Sequence, residues 1–175
     1  MSRLVGLILL LLFMSCGHPK PRKPIMSTGS MDMSKSVELN KQLYNQEIAY
    51  FKTLMQQDST HTYIDSKHGF WYTYLTERST DSIFPDKGDE VVFSYDIKDI
   101  YGHQIYSQEE LGNKTYRVDQ EDFMQGIQEG IKLMQVDEKL LFLLPSLKAY
   151  GVYGDGNKIT THTPLLVTVE LINIQ

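Results

Sequence analysis

The side chains that usually carry acid-base, nucleophilic or metal chemistry are scattered along this chain of 175 residues. None of its five histidines stands three or four positions from another, so the usual spacing of zinc ligands is absent. There is no Gly-x-Ser-x-Gly nucleophile motif, no phosphate-binding glycine loop and no dinucleotide fingerprint. The pattern disfavours hydrolases and metalloenzymes, and we expect neither a metal nor an organic cofactor.

The amino-acid composition indicates which partners the protein can have and how large its folded part is. A formal net charge of -5 argues against a general nucleic-acid-binding surface, and no basic run lies among aromatic residues. Hydrophobic residues make up 41% of the chain, which is enough to bury a sizeable core. We therefore expect one compact domain together with processing and linker segments.

The only cysteine, Cys16, follows Arg3, an apolar run at residues 4–14 and the small residue Ser15. This is the layout of a bacterial secretion signal, and Cys16 lies where a lipoprotein signal peptidase would cut. We expect residues 1–15 to be a signal peptide and Cys16 to be lipidated; the alternative is an ordinary cysteine inside a signal peptide. Lipidation would hold the protein on a periplasm-facing membrane of a bacterial envelope, with the outer membrane preferred.

Residues 16–33 are rich in Pro, Lys and Arg and then in Ser and Gly, a composition typical of a flexible tether. Residues 34–57 contain neither Gly nor Pro, and they predict an amphipathic helix. Its apolar residues recur at helical spacing: Tyr44, Ile48, Phe51 and Met55. Such a stripe either packs on its own domain or joins two copies of the chain in a homodimer.

Most of the remaining chain predicts β-strands. Residues 91–97 alternate apolar and polar side chains, as expected of a strand with one buried face, and Tyr95 points inward. Further strands are expected at residues 70–75, 104–106, 114–118, 138–144 and 165–174.

One helix interrupts these strands, at residues 122–134, with Asp122 as its expected N-cap. Its apolar residues are spaced four, four and three apart: Phe123, Ile127, Ile131 and Met134. Gly126 and Gly130 each cost such a helix roughly 1 kcal/mol relative to alanine. A sheet that packs too closely for a side chain would explain both glycines. The sequence therefore predicts an α+β fold, an antiparallel β-sheet curved around one short α-helix and preceded by the N-terminal amphipathic helix.

The order of several motifs resembles that of an FKBP-type peptidyl-prolyl cis/trans isomerase. The matching residues are Pro85, Gly88-Asp89, Phe93-Ser94-Tyr95, Phe123, Gly126, Glu129-Gly130, Pro145, Ala149-Tyr150-Gly151 and Val167-x-Val169-Glu170-Leu171. The resemblance covers residues 85–174, within a domain that we assign to residues 68–175. The preceding segments are similar to those of FKBP-type lipoproteins associated with gliding motility.

The resemblance implies a pocket between the helix and the sheet. Its catalytic positions would be Tyr95, Ile127 as the floor, and Tyr150 as the hydroxyl that meets the carbonyl of the bound peptide. The remaining substrate-binding positions would be Ile105, Tyr106, Phe123, Met124, Ile159 and Val167.

Several positions depart from the family's usual pattern. Ile105-Tyr106 replaces Phe-Asp, so that a pocket aromatic and a carboxylate are both absent from their usual places. Ile127 replaces a common Trp, Lys114 replaces a pocket aromatic, and Asp155 replaces a His or an aromatic residue.

Two functions remain open at this point. One is an isomerase that acts on X-Pro segments of exported envelope proteins, with a link to gliding motility. The other is a non-enzymatic chaperone or assembly module of the cell envelope that has the same fold.

Overall fold

The computed structural model describes residues 29–77 and 83–175 of the chain, with side chains from residue 34 onward. Ser36–Gln175 form one compact unit. The predictions for residues 1–15, for Cys16 and for most of the tether lie outside the described residues.

The N-terminal helix, α1, spans Gly29–Gln57. It ends where the sequence predicted and begins five residues earlier, so residues 29–33 are helical rather than part of the tether. Residues 34–39 are exposed, whereas Phe51 is fully buried. The C-terminal half of α1 therefore packs on its own domain.

Seven strands form one antiparallel sheet among the described residues. They are β1 Ile64–Asp65, β2 Trp71–Thr76, β3 Glu90–Asp99, β4 Gln104–Tyr106, β5 Asn113–Arg117, β6 Lys139–Leu144 and β7 Leu165–Ile174. The order is β1-β2-β6-β7-β3-β4, and β5 pairs with the first half of β3. The predicted α+β fold is confirmed, and β7 has the predicted bounds.

Helix α3, Gln125–Ile131, lies against the inner face of this sheet. A Cβ atom on Gly126 would lie 2.5 Å from Leu144 Cδ2, and one on Gly130 would lie 2.5 Å from Phe142 Cε1. The close approach expected from the two glycines is confirmed. The predicted helix was too long, however, and Met124 rather than Asp122 is its N-cap, because the chain stays extended until Met124.

The expectation of a single helix after residue 70 was wrong. A short helix, α2, spans Gln108–Leu111, and a 3₁₀ helix spans Ser146–Lys148. Ser107 caps α2 through a side chain that accepts from the N–H of Glu110. This cap satisfies a backbone donor in the first turn of the helix.

The outer face of the sheet is also covered in part, which corrects the expectation that β3 has only one buried face. Ser94 is almost completely buried although it points away from the inner face. Helix α1 packs on this side, where the ring centroids of Phe51 and Trp71 are 6.3 Å apart. The hydroxyl of Tyr50 also donates to the carbonyl of Ile100 at 3.0 Å.

Candidate functional site

Two central strands supply one wall of the candidate site. Tyr95 on β3 lies opposite Val169 on β7, and Val167 on β7 lies opposite Ile97. Because side chains alternate along a strand, these residues share the inner face. Val167 is completely buried, whereas Tyr95 retains a small exposed fraction of 9%.

The aromatic part of the site centres on Phe123, just before α3. Its ring is perpendicular to that of Tyr95, with centroids 5.6 Å apart, and the centroid of Phe93 lies 5.8 Å away. The Lys114 ammonium lies 5.1 Å from the centre of the Phe123 ring, a cation–π contact. Lys114, which replaces a pocket aromatic of the family, thus contacts the same cluster by packing its ammonium on the Phe123 ring.

The start of α3 supplies the base of the cluster through Met124 and Ile127, both almost completely buried. Gly126 brings this turn of the helix against the sheet, since a side chain there would collide with Leu144. Ile127 is therefore held in the same apolar cluster.

Tyr150, in the loop after the 3₁₀ helix, packs against this apolar cluster and is partly buried. Among the described residues, no group hydrogen bonds to its hydroxyl. Burial, reinforced by nearby Tyr95, Asp155 and Tyr106, raises the pKa of Tyr150 to about 12. The phenol is consequently neutral at physiological pH and has a proton to donate.

Two of the departures from the family pattern lie in direct contact. The hydroxyl of Tyr106 donates to a carboxylate oxygen of Asp155, which lies 49 positions later in the chain. Burial alone would raise the pKa of Asp155, but the hydrogen bonds from Tyr106 and from two backbone N–H groups hold it below its usual value. The site therefore contains a carboxylate, on the loop rather than on β4.

A buried carboxylate outside this pair, Glu47 on α1, was not predicted. It accepts hydrogen bonds from the N–H of Ser146 at 2.8 Å and from its hydroxyl at 2.7 Å. Ser146 begins the 3₁₀ turn that leads to Tyr150. A signal was present in the sequence, because Glu47 lies four positions before Phe51 on the apolar stripe of the helix.

All nine predicted site residues lie in or against one apolar cluster, which is the hydrophobic core of the domain. The buried members are Tyr95, Tyr106, Met124, Ile127, Ile159 and Val167, and the partly buried members are Ile105, Phe123 and Tyr150. Their individual roles stay predictions. Chemically, the arrangement offers a non-polar surface bordered by a phenol that can donate one hydrogen bond.

Comparison with known proteins places this architecture in a family. Residues 81–172, more than half of the chain, match the family of FKBP-type peptidyl-prolyl cis-trans isomerases. FK506-binding protein 2A of Rhizopus delemar is 29% identical over 82 residues, which cover 42% of this chain and 49% of that protein. The match thus spans about half the length of this curated relative.

Solved structures share the fold at lower sequence identity. A peptidyl-prolyl cis-trans isomerase from Pseudomonas syringae pv. tomato has a TM-score of 0.60 and 22% identity, over 78% of this chain and 96% of that chain. FkpA from Escherichia coli has a TM-score of 0.61 and 20% identity, over 82% of this chain and 64% of that chain.

Proposed function

The chain belongs to the family of FKBP-type peptidyl-prolyl cis-trans isomerases, and we propose that it catalyses rotation about X-Pro bonds in protein substrates. One observation carries the proposal. The Tyr150 hydroxyl has no partner among the described residues, and it borders the apolar cluster that contains Tyr95 and Ile127. This combination suits a proline ring with its neighbouring carbonyl.

The proposed catalysis needs no nucleophile, metal or cofactor. Rotation about the X-Pro bond is slow because amide resonance must be lost, at a barrier of roughly 18–20 kcal/mol. Water favours the planar, charge-separated amide. An apolar site strips that water away, while a preorganised donor stabilises the twisted form. In this proposal Ile127 and Val167 exclude water, and Tyr150 donates to the carbonyl.

Exchange spectroscopy on an X-Pro peptide tests this activity directly with the full chain. Tyr150→Phe removes one donor and keeps the ring, so we expect kcat/KM to fall roughly 3- to 10-fold, the value of one hydrogen bond in the transition state. Tyr153→Phe, the same change at an 88% exposed side chain, is the matched control. Equal rates for the two variants would exclude Tyr150 as the donor.

We further propose that the substrates are exported envelope proteins and that the protein is anchored by a lipid on Cys16. The apolar run and the cysteine support this location, as does the tether that follows them. None of the helices in residues 29–77 and 83–175 is both long and apolar enough to cross a membrane. Mass measurement of the mature N-terminus tests the anchor: an unmodified Cys16 would contradict it. The link to gliding motility stays a prediction.

A non-enzymatic chaperone or assembly module is the second candidate. The replacement of a ring by Ile127 favours it, as does the use of the Tyr106 proton by Asp155, because both reduce what the pocket offers a substrate. This candidate predicts suppression of aggregation without any acceleration of X-Pro isomerisation.

A further inference from the structure

Two segments at the edge of the apolar cluster are joined by polar side chains. One segment runs from β4 through α2, and the other is the loop at residues 154–159. We call their connection the rim clasp, which consists of Tyr106, Glu110, Asp155 and Lys158.

The Asp155 carboxylate is the centre of the rim clasp. One oxygen accepts the hydroxyl proton of Tyr106. The other accepts the backbone N–H groups of Asn157 and Ile159, each at 2.8 Å. Hydrogen bonds to an ionised group are roughly twice as strong as those between neutral groups. Asp155 thus holds its own loop and ties that loop to β4.

Lys158 adds a second connection between the same segments. Its ammonium lies 4.5 Å from the centre of the Tyr106 ring and donates to the carbonyl of Ile105 at 3.3 Å. It also forms an ion pair with Glu110 on α2. The loop consequently contacts β4 on the ring of Tyr106 as well as at its hydroxyl.

The loop is closed on itself by its own backbone. The N–H of Asp155 donates to the carbonyl of Ile159 at 3.0 Å, and a Cβ on Gly154 would lie 2.3 Å from that same carbonyl oxygen. This turn buries Ile159, which is 2% exposed, in the apolar cluster. Any change that releases Asp155 would therefore displace a wall of the site.

We propose that Tyr106 and Asp155 are positioning residues that hold Ile159 and the adjoining Tyr150 loop against β4, an inference that rests on the proposed isomerase function. The Tyr106 hydroxyl has one hydrogen, which it donates in the hydrogen bond to Asp155. Its oxygen can therefore only accept further hydrogen bonds, as it does from the side chain of Asn157 at 3.1 Å. The hydroxyl of Tyr150 is not used in this way, and it remains free to donate to a substrate.

The test compares Tyr106→Phe and Asp155→Asn with the parent full chain. Tyr153→Phe, at the exposed residue directly before the loop, is the control for loss of a phenol hydroxyl. Isomerase kcat/KM is expected to fall 3- to 10-fold in Tyr106→Phe and to be unchanged in Tyr153→Phe. The double variant Tyr106→Phe/Asp155→Asn should lose no more than the less active of the two single variants, because both changes remove one connection.

Amide hydrogen exchange supplies a readout that does not depend on activity. The N–H groups of Asn157 and Ile159 should exchange at least 3-fold faster in Tyr106→Phe, while amides in β3 and β7 keep their rates. If the parent chain shows no isomerase activity but exchange at these two amides is still faster in Tyr106→Phe, the isomerase function is overturned and the rim clasp stands. The rim clasp itself would be overturned if exchange at both amides were unchanged in Tyr106→Phe. It would also be overturned if the fold-losses of kcat/KM in the two single variants multiplied in the double variant. A general increase in exchange across the sheet would also overturn it, since Tyr106 would then be merely a core residue.

Discussion

Replacing Glu47 with alanine should destabilise the fold far more than an ordinary change on the surface of a helix. The side chain is 8% exposed, and both of its oxygens accept hydrogen bonds from Ser146, at 2.7 and 2.8 Å. Glu47→Ala leaves two buried donors without a partner, at roughly 1–3 kcal/mol each. Because water can still reach the surroundings of Glu47 in part, we expect the free energy of unfolding to fall by about 2–4 kcal/mol.

Urea denaturation of the full chain measures this loss, and a second glutamate on the same helix provides the control. Glu38 is exposed, and among the residues that the structure describes it accepts a hydrogen bond from Gln42 alone, so Glu38→Ala should change the free energy of unfolding by less than about 0.5 kcal/mol. Glu47→Gln keeps one acceptor and should give an intermediate loss. If Glu47→Ala matched Glu38→Ala, the claim that α1 anchors the 3₁₀ turn would be refuted.

The remaining predictions concern packing, protonation and assembly. Gly130→Ala should destabilise the protein by about 1–3 kcal/mol in urea denaturation although alanine favours helices, because its Cβ would meet the Phe142 ring; a stabilised variant would contradict the close approach of α3. The raised pKa of Tyr150 favours the neutral phenol in the folded state, a contribution to stability that is complete below about pH 10 and lost as the pH rises toward 12. Isomerase kcat/KM should accordingly stay flat between about pH 7 and 9, and a loss of activity in that range that Tyr150→Phe abolishes would contradict the assignment. Val37, 62% exposed on α1, is a test position for the homodimer: Val37→Asp should convert a dimer into a monomer in sedimentation, and a monomeric parent would exclude the dimer.

Periodicity was enough to predict those elements whose side chains alternate or repeat without interruption. Strand β7 has the predicted bounds because its inner residues are apolar throughout. Gly126 and Gly130 revealed the close approach of α3 because their cost to a helix demanded a reason. The start of α3 was mistaken because Asp122 is a good capping residue, whereas the chain at Met124 is still extended.

Contacts between distant positions could not be predicted from local patterns. Tyr106 and Asp155 looked like two separate departures from the family pattern, and only the folded chain brings them together across 49 positions. Glu47 and Ser146 are 99 positions apart. The partner of an Asp or Glu side chain cannot be predicted from the neighbouring sequence, because a solvated carboxylate and a buried one can have the same neighbours.

Proline-limited refolding of a substrate protein tests the proposed isomerase most directly. The parent chain should accelerate the slow refolding phase in catalytic amounts, with a first-order rate that rises in proportion to its concentration. Tyr150→Phe should be several-fold weaker than both the parent and Tyr153→Phe. If the parent left the slow phase unchanged while still suppressing aggregation, the isomerase proposal would be contradicted and the protein would be a chaperone of the same fold.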